Sequence, residues 1–233
     1  MRDITLHYQE KGSGEPLILL HGNGEDGSYF KHQMDYFSGR YRVIALDTRG
    51  HGKSPRGTEP FTMEQFSRDL HDFIVNLAIS SAIILGFSDG ANIAMKFAMC
   101  YPGKVKALIL NGGNLDPNGV KRTTQLPIKL GYKIASRFAT KSPAAERNAE
   151  ILGLMVNEPN IEPTQLSKIT APTLVICGKN DMIKESHTKE IAEHIPNAKL
   201  VILKGNHFIA NRRPAAFNQA VEDFLKTIRR EKE

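Results

Sequence analysis

The sequence predicts an α/β chain: a mostly parallel sheet with helices on both faces and a short helical insertion late in the fold. Three observations point there. Apolar runs of strand length recur, as in P-L-I-L-L (16–20), S-A-I-I-L-G (81–86) and P-T-L-V-I-C-G (172–178). Stretches of helical periodicity separate them, and fully apolar strands alternating with helices belong to a parallel sheet covered on both sides. From 115 to 170 that alternation stops, and the pattern there is helical, interrupted at Pro127, Pro143, Pro159 and Pro163.

Taken in order, residues 3–10 alternate apolar and polar and read as a strand, closed by the turn Gly12-Ser13-Gly14. The buried strand 16–20 follows, then a helical stretch at 28–38 and the strand Y-R-V-I-A-L-D (41–47). Pro55, Gly57 and Pro60 mark a loop. Thr62 and Gln65 have capping-box spacing and open a helix that runs to Ala78. Strand 81–86, a helix from Ser88 to Cys100 and strand 104–111 come next. After the insertion come strand 172–178, helix 184–194, strand 198–204 and a closing helix 214–230. The expected division is a core of 1–114 and 171–233 with a helical cap at 115–170.

At 233 residues, 40% hydrophobic and 24% charged, the chain has the composition of an ordinary globular protein. No apolar run reaches the roughly 18–20 residues of a membrane helix, and the polar start lacks an apolar leader, so the expectation is a cytoplasmic protein without a membrane partner. Cys100 and Cys177 lie in apolar surroundings and are expected to be buried, reduced thiols. No histidine or cysteine spacing suggests a metal, and no cofactor is expected. The net charge of +6 is localised: from 117 to 147 seven basic residues face the single acid Glu146, an excess equal to that of the whole chain. That localisation, with few interleaved aromatics, speaks against nucleic acid; it reads as the solvated face of the cap helices, the alternative being a basic lid that steers an acidic substrate or an anionic surface.

The chemistry sits at strand ends. Gly22-Asn23-Gly24-Glu25-Asp26-Gly27 matches a dinucleotide fingerprint, and Asp47 stands 20 residues beyond it. Glu25 and Asp26 would nevertheless put two carboxylates in the pyrophosphate seat, and S-Y-F-K-H-Q is too bulky for the helix that should follow. A better explanation starts at G-F-S-D-G (86–90), a G-x-S-x-G turn between an apolar strand and a helix. Such a sharp turn lifts a serine hydroxyl above the carboxyl edge of the sheet. A serine needs a base, and the base an orienting acid. Asp181 and His207 end the next two strands in that order, so Ser88, Asp181 and His207 are the expected triad. The backbone N–H groups of Asp89 and Asn23, with Gly24 adjacent, are the candidates for an oxyanion hole. Asp47, Arg49, His21 and His51 read as residues that fix loops.

These motifs, L-L-H-G-N-G (19–24), D-T-R-G-H-G-K-S (47–54), G-F-S-D-G (86–90), P-T-L-V-I-C-G-K-N-D (172–181) and G-N-H-F (205–208), resemble those of the α/β-hydrolase superfamily over nearly the whole chain. The resemblance implies Ser88 as nucleophile, His207 as base, Asp181 as orienting acid and a mobile helical cap. Family members with a nucleophilic aspartate, the haloalkane dehalogenases and epoxide hydrolases, are set aside by Ser88, which points to acyl transfer. G-F-S-D-G is also similar to the G-W-S-D-G of the valacyclovir hydrolase and biphenyl-hydrolase-like branch. There the acid recognises the α-amino group of an aminoacyl ester, so Asp89 is a candidate substrate-binding residue. Phe87 in place of Trp, Ala91 after Gly90 and a short cap depart from that branch.

The expected function is a serine hydrolase of small carboxylic esters or related acyl compounds, working through an acyl-enzyme on a small-molecule substrate, as a monomer or homodimer. The alternatives are a ligand receptor of the same fold with little turnover, or a C–C bond hydrolase or lyase using the same triad.

Overall fold

In the computed structural model, which describes residues 3–230, seven strands form one sheet in the order β1-β3-β2-β4-β5-β6-β7. The strands are β1 (Tyr8–Lys11), β2 (Glu15–Leu20), β3 (Tyr41–Leu46), β4 (Ala82–Phe87), β5 (Val105–Asn111), β6 (Thr173–Asn180) and β7 (Ala198–Asn206). All neighbours pair parallel except β1, which runs antiparallel along β3. The chain steps outward from β2 to β3 and then returns to place β4 on the other side of β2. The loops after β2 and β4 therefore diverge at a topological switch point, where open α/β sheets leave a crevice at their carboxyl edge.

Strand alternation sends successive side chains to opposite faces and makes two cores. Ile18, Leu20, Ile44 and Ile84 pack beneath α2 (Met63–Asn76) and α3 (Asp89–Cys100), with α6 (Glu185–His194) beside them. Leu17, Leu19, Val43 and Leu85 pack on the other face against α1 (Lys31–Phe37) and α8 (Pro214–Arg230). The inserted helices α4 (Arg122–Phe138) and α5 (Pro143–Asn157) lie between β5 and β6 in the chain.

The structure departs from the sequence expectations at five places. The first strand covers only Tyr8–Lys11, because residues before it lie over the 47–59 loop: the His7 N–H donates to Ser54 Oγ, and Asp3 accepts from the Thr58 N–H. Thr62 caps α2 by accepting the Gln65 N–H, but the reciprocal half of the capping box is missing, since the Gln65 side chain donates to Asp69 instead. Pro127 does not break α4; the carbonyl it leaves unpaired belongs to exposed Thr123, where water can satisfy it. Cys100 is exposed at the last position of α3, and only Cys177 is buried. A short helix α7 (Ile209–Arg212), which the sequence pattern did not suggest, follows β7.

Four contacts tie α5 and the residue after it to the core. Arg56 Nε donates to both carboxylate oxygens of Glu150 at 2.9 Å, and Arg147 donates to the Gly50 carbonyl. The Asn23 side chain reaches the Ile151 carbonyl at 2.9 Å, and Glu158 accepts the Met63 N–H at the start of α2. Among the described residues no helix is long and apolar enough to cross a membrane.

Candidate active site

The turn from β4 into α3 is tight enough to exclude side chains. A Cβ on Gly86 would lie 2.3 Å from the Gly90 carbonyl oxygen, and one on Gly90 would lie 2.0 Å from that of Leu20. Between them Ser88 sits at φ 54°, ψ −118°, a conformation that residues other than glycine rarely adopt. The surroundings keep it there: the Ser88 N–H donates to Asn111 O at 2.8 Å, and the Ser88 carbonyl accepts from Ala91 N and Asn92 N. Strain of this kind is maintained only where neighbouring structure over-determines it. It projects Oγ over the carboxyl edge of the sheet.

Two other strand ends bring the partners. His207 follows β7, and its Nε2 lies 3.0 Å from Ser88 Oγ. Asp181 follows β6, and its Oδ1 lies 2.7 Å from His207 Nδ1 while also accepting the Ile183 N–H at 2.9 Å. An ionised carboxylate can only accept, so Nδ1 carries the imidazole proton and Nε2 presents its lone pair to the serine hydroxyl. Asp181 and His207 are both buried. Phe87 packs against the His207 ring at 4.8 Å between centroids and stacks on Tyr29 at 4.4 Å.

The Asp181 turn is braced by the segment that leads into α4. Lys121 N donates to Met182 O and Lys184 N to Gly119 O, each at 2.8 Å, and Lys121 Nζ donates to the Asp181 carbonyl. In the sequence Lys121 is only one of seven basic residues in its region. Its contact spans 60 positions, and no local pattern signals it.

The loop after β2 is held from below by His21. Its Nδ1 donates to Gly22 O at 2.7 Å, and Nε2 accepts the Thr48 N–H at 3.0 Å. Burial, with nearby His51, pushes the His21 pKa down to about 4, so the ring stays neutral and keeps this donor–acceptor arrangement. Asp47 accepts from Gly27 N at 2.8 Å and from Lys53 N at 2.9 Å, which pins two loops to the end of β3. The same loop carries Glu25, whose Oε2 accepts the Gly22 N–H and whose pKa burial pushes up to about 7. The sequence marked Glu25 only as an obstacle to phosphate. That it folds back on its own loop depends on the turn geometry.

Asn23 and Asp89, expected to contribute backbone N–H groups, are joined through their side chains as well. Asn23 Nδ2 donates to Asp89 Oδ2 at 2.8 Å and to Ile151 O of α5. The amide thus links the β2 loop, the start of α3 and the helical insertion. Burial pushes the Asp89 carboxyl up to about 6. Its position in the first turn of α3 favours negative charge. Among the described residues no lysine, arginine or histidine forms an ion pair with it. Nor do any of them form a cluster of three or more metal-type ligands.

Comparison with known proteins agrees with this architecture. Residues 15–133 match the family model for the alpha/beta hydrolase fold. The 3-oxoadipate enol-lactonase 2 of Acinetobacter baylyi is 26% identical, over 97% of this chain and 94% of that protein. The human serine hydrolase BPHL is 26% identical over 96% of this chain and 84% of its own length. Among solved structures, a thermophilic esterase from Thermogutta terrifontis superposes with a TM-score of 0.80 at 23% identity, covering 97% of this chain and 94% of that one. The enol-lactonase from Burkholderia xenovorans gives a TM-score of 0.81 at 22% identity, over 96% and 97% of the two chains. With a strained serine between strand and helix, an acid and a histidine on the next two strand ends, and a family match across more than half its length, this chain belongs to the α/β-hydrolase fold family.

Proposed function

We propose that this protein is a serine hydrolase of small carboxylic esters, lactones included as cyclic esters. The observation that carries the reading is the continuous hydrogen-bond line from Ser88 Oγ through His207 to Asp181, with heavy-atom distances of 3.0 and 2.7 Å. In the proposed reaction Ser88 Oγ attacks the carbonyl carbon as His207 Nε2 takes the hydroxyl proton. Asp181 stabilises the resulting imidazolium. The backbone N–H groups of Asp89 and Asn23 receive the developing oxyanion. Collapse expels the alcohol, which takes its proton from His207. A water molecule then repeats the sequence on the acyl-enzyme and releases the acid. The helices at 115–170 act as the cap that covers the acyl pocket.

Within that class, the Asp89 carboxylate is the seat for a cationic group on the acyl portion, the α-ammonium of an aminoacyl ester. Two features support this: Asp89 is buried without an ion-pair partner among the described residues, and the side chains that bond it, Asn23 and Asn92, are neutral amides. A buried anion lacking a counter-ion is stabilised when a substrate brings one. The test compares initial rates on a valyl ester and its des-amino analogue for the wild type, Ser88→Ala and Asp89→Asn. The wild type is expected to prefer the amino ester, and Asp89→Asn to lower that preference about tenfold or more, a change of about 1.4 kcal/mol. Faster turnover of the neutral ester by wild type retires the ammonium seat and leaves the serine hydrolase standing. Rates no higher than those of Ser88→Ala on either ester, or on a lactone, overturn the hydrolase reading in favour of a receptor.

Asp89 also has a stability signature. Its folded pKa of about 6 lies above the ordinary 3.8, so the unfolded chain ionises first. Stability is therefore lost as pH rises between those values, and the loss persists above them. Asp89→Asn removes that titration. Its stability relative to wild type is expected to improve by about 1–3 kcal/mol between pH 3 and pH 8, as read from urea denaturation at both. No pH dependence of the difference would mean that Asp89 titrates normally.

A further inference from the structure

The outer face of α4 is apolar where a solvated helix would be polar. Leu126, Leu130, Ile134 and Phe138 recur every fourth residue and are 65%, 62%, 53% and 47% exposed. They are half of the eight large hydrophobic residues exposed in the described chain. The inner face is built from other residues: Gln125 donates to Met155 O, Gly131 lies against Leu152, and Tyr132 against Gly153. The apolar row has therefore not been displaced from a core; α4 packs on α5 without it.

A second row follows the first. On α4, Lys129, Lys133 and Arg137 stand three residues after Leu126, Leu130 and Ile134, and Arg122 extends this face toward the N-terminus; Lys141 follows in the short turn Ala139–Lys141 after the helix. On a helix, residues three apart are neighbours, so the basic row borders the apolar row along its length. All five basic residues are exposed, and none makes an ion pair or side-chain hydrogen bond among the described residues. The sequence suggested a solvated basic face; the structure places a ridge of large apolar side chains beside it.

We propose that α4 is a surface-binding helix that rests on a lipid bilayer bearing anionic headgroups, with the apolar row entering the interface and the basic row on the phosphates. An amphipathic helix of this make-up binds a membrane surface through buried apolar area and attraction to anionic lipid. Charge argues against a second copy of the chain as the occupant. A twofold contact would bring two unpaired basic rows together, where like charges repel. Lys121, immediately before α4, is bonded to the Asp181 carbonyl, so a bilayer beneath this helix lies beside the rim that carries the triad. The contact proposed is with the bilayer surface; among the described residues no helix is long and apolar enough to cross it.

The test is co-sedimentation of the purified chain with vesicles of phosphatidylcholine alone and with vesicles containing roughly a third phosphatidylglycerol, at low and high salt. Wild type is expected to partition at least about tenfold more strongly onto the anionic vesicles, and less so as salt rises. Leu130→Ser/Ile134→Ser and Lys129→Glu/Lys133→Glu are each expected to reduce that partition about tenfold, with unchanged circular dichroism spectra. Both pairs are exposed and outside the core, so their folding is not at issue. Equal sedimentation with both vesicle types, or with neither, overturns the proposal. So does concentration-dependent dimerisation in sedimentation velocity that Leu130→Ser/Ile134→Ser abolishes while vesicle binding persists, since the apolar row would then be an interface between copies.

Discussion

Ser88→Ala is expected to lower kcat/KM for a simple aryl ester by a factor on the order of 10⁴ or more, with KM changed far less than kcat. The reason is specific to this geometry. Ser88 Oγ lies 3.0 Å from His207 Nε2, and His207 Nδ1 lies 2.7 Å from Asp181 Oδ1; in the proposed reaction these three act together, so removing any member disables a unit rather than subtracting one contact. His207→Ala should fall in the same range, and the double variant should be little worse than either single one. Asp181→Asn distinguishes mechanism from mere proximity. An asparagine that donates to Nδ1 moves the imidazole proton to Nε2, and the lone pair facing Ser88 is lost. The expected loss is about 10³–10⁴ in kcat. The fold should survive, because Asp181 Oδ2 has no hydrogen-bond partner and the turn is braced through backbone groups, by Lys121 Nζ on the Asp181 carbonyl and by the Lys121 N–H on Met182 O. Circular dichroism and single-turnover burst kinetics check the two halves. Full activity in Asp181→Asn would mean that His207 is oriented by something else.

The second large effect is structural. Arg49 is buried, and its guanidinium forms a two-point pair with Asp69 at 2.7 Å through both Nε and Nη2. Nη1 reaches the Arg56 carbonyl at 2.9 Å and also bonds Asp3. Arg49, helped by bonds from Thr58, holds the Asp3 carboxyl far below the usual carboxylate range. Arg49→Met keeps much of the volume but leaves Asp69 buried in α2 with only Gln65 as a partner. Breaking one side of a buried pair costs about 3–5 kcal/mol, so urea denaturation should show a loss in that range. Adding Asp69→Asn removes the stranded charge and should recover part of it. The double variant is the informative arm: no recovery would mean that Arg49 matters through its bond to the Arg56 carbonyl, which shapes the loop facing α5.

The fold class was legible because the central strands β2, β4 and β5 and most of β6 are nearly pure apolar runs of strand length that recur between helical stretches, the pattern of a sheet covered on both faces. The placement of Ser88, Asp181 and His207 at one edge of the sheet was legible for a related reason. Each member follows immediately on a strand, and parallel strands deliver their ends to one edge. The misreadings have the opposite character. Cys100 looked buried because its neighbours in sequence are apolar, yet at the end of α3 its own direction is outward. The first strand was drawn too long because alternation at 3–10 does not reveal that Asp3 and His7 are engaged by the 47–59 loop. Pro127 looked like a break because its cost depends on whether the freed carbonyl meets water.

By itself the sequence determined the parallel sheet, the strained serine turn and the chemical identity of the groups at the strand ends, since each rests on local pattern and short-range sterics. Only the tertiary structure decided that Asn23 bonds Asp89 and α5, that Lys121 braces the Asp181 turn, and that α4 turns its leucines outward. Those outcomes depend on contacts between residues 60 to 128 positions apart and on which face of a helix finds a partner. A one-dimensional pattern records periodicity, but it does not record which side the rest of the chain covers.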